Sequence, residues 1–478
     1  MIKSIKTTAL TAAMALGLTA CGGSGSGNTA GIGGSGYISS GTITGFGSVF
    51  VNGVEFETVS SAFDIEGTPG TQSNLAIGMV VRVNGTINPD GITGTATSII
   101  FDDELQGPVS GLTPTPILPT TTSATFTVLG TTVKIDRSST SFDGTTFNFD
   151  TIANNDNIEI SGFFNASGTL LASRVELKEP FLADSSIVEI KGNLLTTDNI
   201  NYTINGLIIS ISGATNIDDL PNGLSNGIPV QVQGTLNGAH TIITAKKFES
   251  EELKLNDSEE FEMEGFITNY VDNTNFTING ITVDASAANL SPSGITLAND
   301  LQVEAEGSIV NGVLKAQKLK LRGGDVKVYA TVSAIDINAK TFKVSPILAQ
   351  PAITIGLGTE TEMKNELTGK ESLNITHLTD GDFVQIEGFE NNGSVFASQV
   401  KIVNPGKIKV QGNITETNDD GFITVLGMKF DIASSTFEDS NNNSIPTETL
   451  FNVAAGTNPL ISVTAASDVG TAEKVELE

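Results

Sequence analysis

The 478-residue chain has no tryptophan, one cysteine, two histidines and four tyrosines. A single cysteine excludes an intramolecular disulfide, so packed sheets alone must hold the fold. His240 and His377 stand 137 positions apart. A triad or a His-based metal site within one small domain is therefore not expected, and both read as solvated turn residues. Scarce Tyr and absent Trp disfavour the stacking used for single-stranded nucleic acid and weaken a carbohydrate-binding reading. Basic residues are also few, 25 Lys and Arg against 54 Asp and Glu, for a formal charge of −29. Such a surface repels phosphate polymers, so nucleic acid is not expected as a partner.

What is present begins with an export signal. Lys3 and Lys6 precede a short apolar stretch from Ala9 to Ala20, too short for the roughly 20 apolar residues that span a bilayer. The segment ends Leu18-Thr19-Ala20-Cys21, which resembles the bacterial lipobox, in which the cysteine thiol is diacylglyceryl-modified before cleavage. Cys21 is thus the expected lipidation site and residues 1–20 the expected signal peptide. Loss of Lys3 and Lys6 with the signal would take the charge from −29 to −31. Two or more acyl chains anchor stably, so membrane attachment through lipid is expected. Residue 22 is Gly rather than the Asp that resembles an inner-membrane retention signal, which points to the outer membrane. Residues 21–36 are rich in Gly and Ser and read as a flexible tether reaching roughly 20 Å.

The remainder is repetitive. A hairpin-like element recurs as FVNGVEF, FTVLGTTVKI, YTINGLIISI, FTINGITVDA and ITVLGMKFDI, and its glycines at 53, 130, 206 and 280 are spaced 77, 76 and 74, with 147 more to Gly427. Asn-Gly between β-branched residues is the strongest short-range signal for a tight hairpin. The fifth copy, FKVSPILAQPAITIG, has lost this glycine and should carry a longer, irregular hairpin. A second element alternates and ends in Gly, as in Val230-Gln231-Val232-Gln233-Gly234, and a third closes each unit. Together with opening strands such as 41–47, 188–195 and 261–268, these give about six units of five or six strands. The expected domains are 37–106, 107–182, 183–250, 261–323, 324–404 and 405–478. The expected fold is all-β, a tandem array of small barrels of the oligonucleotide- and oligosaccharide-binding (OB) type, since closure hides strand edges from neighbouring units.

The residues Gly41-Thr42-Ile43-Thr44-Gly45-Phe46-Gly47-Ser48-Val49, Val51-Asn52-Gly53-Val54 and Leu75-Ala76-Ile77-Gly78-Met79-Val80-Val81 resemble a bacterial family known only as a domain of unknown function, number 5666. The resemblance fades along the later copies. It implies tandem β domains in envelope lipoproteins and brings no known activity or catalytic residue.

Motifs for chemistry are few. There is no H-E-x-x-H, and Gly369-Lys370 lacks the rest of a phosphate loop. Gly45-Phe46-Gly47 reads as a strand bend. The carboxylate pairs Asp102 with Asp103 and Glu304 with Glu306, and the stripe Lys318, Lys320, Arg322, read as solvated or polar strand faces. Asp439 to Ser444 offers clustered oxygens without the Gly and Glu of a calcium loop. No catalytic residue, cofactor or metal is assigned. The expected role is a non-enzymatic, lipid-anchored envelope protein, a spacer, scaffold or interaction module with an envelope protein or polysaccharide as partner. The alternative is a hydrolase using carboxylates of the divergent fifth or sixth repeat.

Overall fold

The computed structural model describes residues 37–477 apart from 118–120, 122, 138, 144–145, 199–200, 213–214, 218–219, 221–222, 252–259, 292–294, 323, 325, 371–372, 392–393, 419–420, 440–443, 447–458 and 467–468. The signal, Cys21 and the tether thus lie outside the described residues. Elsewhere the period-two patterns become strands, and each repeat is a small closed barrel. In the fourth, the opening strand Glu260–Asp272 pairs with Asn275–Ile278, which turns back into Ile281–Asp284. That strand runs parallel to the closing strand Val313–Leu321, whose other neighbour, Gln302–Val310, returns to the opening strand. Five strands in this circular order, with the third parallel to the fifth, form the expected OB-type barrel. The first, second and fifth repeats close the same way from opening strands Tyr37–Phe46, Leu105–Pro108 with Ser110–Thr113, and Val326–Asp336. In the third and sixth, whose opening strands are Ile187–Asn193 and Ile408–Asn418, single bridges at Leu195 to Thr203 and Asp431 to Thr471 complete the circle.

The hairpin turns follow from local stereochemistry. Asn205 and Gly206 have φ of 47° and 83°, and the pairs at 52–53, 129–130, 279–280 and 426–427 match them. Two successive left-handed residues make the type I′ turn that suits twisted strands. The turn residue packs on the opening strand, where a side chain would collide with it: a Cβ on Gly265 would lie 2.5 Å from Asn279 Oδ1, and Asn279 Nδ2 donates to Glu264 O at 2.7 Å. The fifth barrel, which lacks the Gly turn, carries Ala330 in its opening strand instead, and its hairpin strands Thr341–Val344 and Ile353–Asn365 are joined by the irregular 345–352 segment. The glycine that ends the second element is a bulge. The register shifts between Glu306 and Gly307, and a Cβ on Gly307 would stand 2.1 Å from Lys315 O.

Closure hides the strand edges only in part. The first half of each opening strand pairs with the fourth strand of its own barrel on one side, while its other edge is left over because the second strand pairs only farther along. Every barrel gives that edge to another barrel. Tyr37–Ser40 pairs in parallel with Glu260–Met263, joining the first barrel to the fourth. Glu189 and Ile190 pair antiparallel with Gln106 and Leu105, joining third to second, and Lys327–Tyr329 pairs with Lys409–Gln411, joining fifth to sixth. The expected separation of units thus becomes three sheets of 13, 12 and 11 strands, each spanning two barrels. Apolar interiors merge across the second and third barrels and across the fifth and sixth, whereas the first and fourth keep separate cores.

Gly307→Ala should destabilise the protein by about 1–3 kcal/mol, because the methyl has only a partner-strand carbonyl to enter. Urea unfolding of the full chain checks this, and a midpoint equal to that of the parent would remove the bulge account.

Candidate functional site

Alternation places Phe261 and Met263 inside the fourth barrel and Glu262 and Glu264 outside it, beside Glu304 of the neighbouring strand. Outside is not solvent here, because the first and fifth barrels cover this face. Glu262 Oε2 accepts hydrogen bonds from Tyr37 Oη at 2.8 Å and Ser39 Oγ at 2.9 Å. Glu264 accepts from Thr42 N at 3.0 Å and Gln302 Nε2 at 2.9 Å. Glu304, 1% exposed, pairs with Lys320 at 2.5 Å and with Arg322. Arg322 Nη1 reaches Glu362 Oε1 of the fifth barrel at 2.9 Å, and Gln399 donates to the other oxygen of Glu362 at 2.9 Å. This junction borders a cavity of about 440 Å³ lined by Thr42, Asn52, Glu264, Arg322, Glu362 and Lys401, among others.

Electrostatics separates the two central carboxylates. Burial, then the charge of Glu304, pushes Glu262 well above the usual carboxylate range. Burial acts on Glu304 as well, but Arg322 and Lys320 outweigh it and hold that group at about 2. Of the two, Glu262 is the member that keeps its proton to higher pH, while Glu304 favours the ionised form. A pair pushed apart in this way has the electrostatic form of an acid and its base. Here both groups are shut in: Glu262 is met by Tyr37 and Ser39 of the first barrel, and Glu304 by Lys320 and Arg322 of its own barrel, of which Arg322 in turn reaches Glu362 of the fifth.

The stripe and carboxylates expected on a solvated face divide accordingly. Glu306 and Lys318 do form a half-exposed pair at 2.8 Å. Glu304 is instead buried and Lys320 and Arg322 are largely covered, because barrels more than 200 positions away in one direction and about 40 in the other pack over them. His240 and His377 are exposed, with His240 edge-on to Phe181 and His377 in a 3-10 turn capped by Asn374. Gly47, at φ of 148°, stands in the turn that follows the opening strand Tyr37–Phe46 of the first barrel. Of the Asp439 to Ser444 loop, 440–443 lie outside the described residues. Asp102 is partly exposed, but Asp103 is fully buried rather than solvated, at the joint between the first two barrels.

Residues 35–100, 106–176, 264–320 and 329–401 each match the family described as Domain of unknown function (DUF5666). Together these cover more than half of the chain, which belongs to that family. The third and sixth barrels fall outside the matched residues yet share the strand order. No curated protein matches the chain.

Two neutral substitutions at the junction should behave oppositely. Glu262→Gln reproduces a protonated carboxyl and should leave stability near that of the parent at low pH. Glu304→Gln strands Lys320 and Arg322 and should destabilise by about 3–5 kcal/mol. The pH dependence has a definite sign. The stabilisation from Glu262, whose folded pKa is raised, is complete below its unfolded value and declines as pH rises toward the folded one. Glu262→Gln should flatten that decline, and a parent and variant whose melting temperatures fall in parallel between pH 5 and 8 would contradict the protonated assignment.

Proposed function

We propose that this protein is a non-enzymatic, lipid-anchored component of the bacterial cell envelope, a scaffold whose barrels hold their exposed turns toward an envelope protein or polysaccharide. The observation that supports this most is the use made of the opening strands. Each barrel gives a strand edge to another, so repeated framework is spent on fusing units. The repeats share no polar constellation that could be a common catalytic centre. Buried carboxylates with shifted pKa values, the groups an enzyme would tune, lie at contacts between barrels: Glu262 meets Tyr37 and Ser39 of the first, and Glu304 holds Arg322, which reaches Glu362 of the fifth. The charge of −29 favours a soluble surface that avoids nucleic acid. Attachment rests on Cys21 in its lipobox-like setting, and a Gly at 22 favours the outer membrane.

Cys21→Ser should abolish labelling by radioactive palmitate and release the protein from the membrane fraction, and continued labelling would sink the anchor. For the scaffold itself, the purified protein should turn over none of a panel of glycan, ester and peptide substrates. Turnover lost on substituting a single Asp or Glu within 325–478, in a chain that still folds, would replace the scaffold with the hydrolase.

A further inference from the structure

Asp103 leaves the closing strand Thr93–Phe101 of the first barrel and points into the seam between the second and third. It is fully buried, and neither of its carboxylate oxygens receives a hydrogen bond from an N–H or O–H donor among the described residues. Such an orphan is expensive to keep in a folded protein. Its surroundings make matters worse. Glu159 and Glu189 stand on either side of Gln106 in one rung of the sheet, and Glu66 approaches from a left-handed turn of the first barrel. Glu189 reaches Asp103 carboxylate to carboxylate, a contact that needs a proton or a cation between the two groups. Two cations stand nearby, and neither is bonded to Asp103: Lys178 pairs with Glu159 and Glu176, and Lys191 with Glu104 at 3.5 Å and Glu251 at 3.8 Å, leaving four carboxylates, Glu66, Asp103, Glu159 and Glu189, around them. One carboxylate oxygen each from Glu66, Asp103 and Glu159 lie within 4.8 Å of one another.

We propose that Glu66, Asp103 and Glu159 bind a calcium ion at the joint of the first three barrels. Oxygen-only ligands select a hard cation, and no His or Cys belongs to the set. Calcium takes its oxygens at about 2.3–2.6 Å in flexible geometry, so three carboxylate oxygens within 4.8 Å of one another can close on one ion, whereas magnesium demands a near-ideal octahedron and gives up its water reluctantly. Glu66 is exposed and provides the way in, while Asp103 and Glu159 are buried and form the floor. Burial first, then Glu189, Glu159 and Glu66, push the Asp103 carboxyl well upward, and Lys191 offsets this only in part. Burial likewise raises Glu159 to about 7. A divalent ion would relieve the same repulsion without the protons. An affinity in the range of about 10⁻⁴–10⁻³ M, usual for extracellular modules, would suffice outside the cell.

The test uses the full-length protein, stripped with EDTA at pH 8 and titrated with CaCl₂ to about 10 mM, an excess over that range. Thermal unfolding and isothermal titration are the readouts. One saturable site that raises the melting temperature is expected, weakened at least about tenfold in Glu66→Gln, whose exposed side chain carries little folding risk, and absent in Asp103→Asn. No saturable binding would overturn the proposal. So would an equal shift from MgCl₂, or from NaCl at matched ionic strength, since that is screening of an acidic surface. Stabilisation at pH 5 with none from calcium at pH 8 would overturn it in favour of shared protons.

Discussion

A β-strand carries hydrogen-bonding groups on both edges, and a small five-stranded barrel cannot satisfy both along the whole of a long opening strand. In the first barrel, Tyr37–Thr42 pairs with Val80–Gly85 on one side, while Val49–Val51 takes up only Ile43 to Phe46 on the other. The free edge at Tyr37–Ser40 has to find a partner, and it finds the equivalent edge of the fourth barrel. The same edge is used at the other two seams. From this one requirement follow the fused sheets, the covering of strand faces that the alternation assigns to solvent, and the charged groups enclosed there.

The seams differ in what else holds them. Where the second barrel meets the third, and the fifth meets the sixth, the apolar interiors are continuous, so burial of aliphatic side chains adds to the backbone pairing. The first and fourth barrels keep separate interiors, with Ile38 the first-barrel side chain that packs against the fourth core. Their seam depends more on polar contacts, and that is where Tyr37, Ser39 and Thr42 engage Glu262 and Glu264. Chain order and spatial order therefore part company: the first repeat is sealed to the fourth and also touches the second, through Ser173 Oγ donating to Gly78 O at 2.6 Å.

Features governed by a few consecutive residues were legible in the sequence. Asn205-Gly206 announces its turn because only such a pair tolerates two left-handed residues cheaply, and the loss of that Gly in the fifth repeat foretells an irregular hairpin. The barrel order was legible from the spacing of turns and the recurrent Gly that ends the second element. Burial between barrels was not. Glu304 alternates with Val303 and Ala305 just as a solvated residue would, and nothing near it in sequence signals that Arg322 will be clamped to Glu362 or that Tyr37 will arrive from 225 positions away to meet Glu262. Glu66, Asp103 and Glu159 are likewise too widely spaced for any motif to collect them. The pairing of free edges was the missing step, since a closed barrel read in isolation has no reason to bury its outer face.

Six barrels with one backbone plan pose a problem of choice. An exposed opening-strand edge can accept any other, because main-chain hydrogen bonds do not distinguish one repeat from the next. Discrimination must come from side chains at the seam. A buried carboxylate adds little net stability when paired, but it is costly when a wrong partner leaves it unpaired. Glu262 opposite Tyr37 and Ser39 is satisfied; opposite an edge such as Leu105–Pro108 it would face no hydroxyl in the same places. Lys191 in the third barrel likewise meets Glu104 at the start of the second, a pair that the first-to-fourth seam does not offer. The enclosed charges thus act chiefly against incorrect pairings, which explains why a protein with so few charged residues places several of them where water cannot reach.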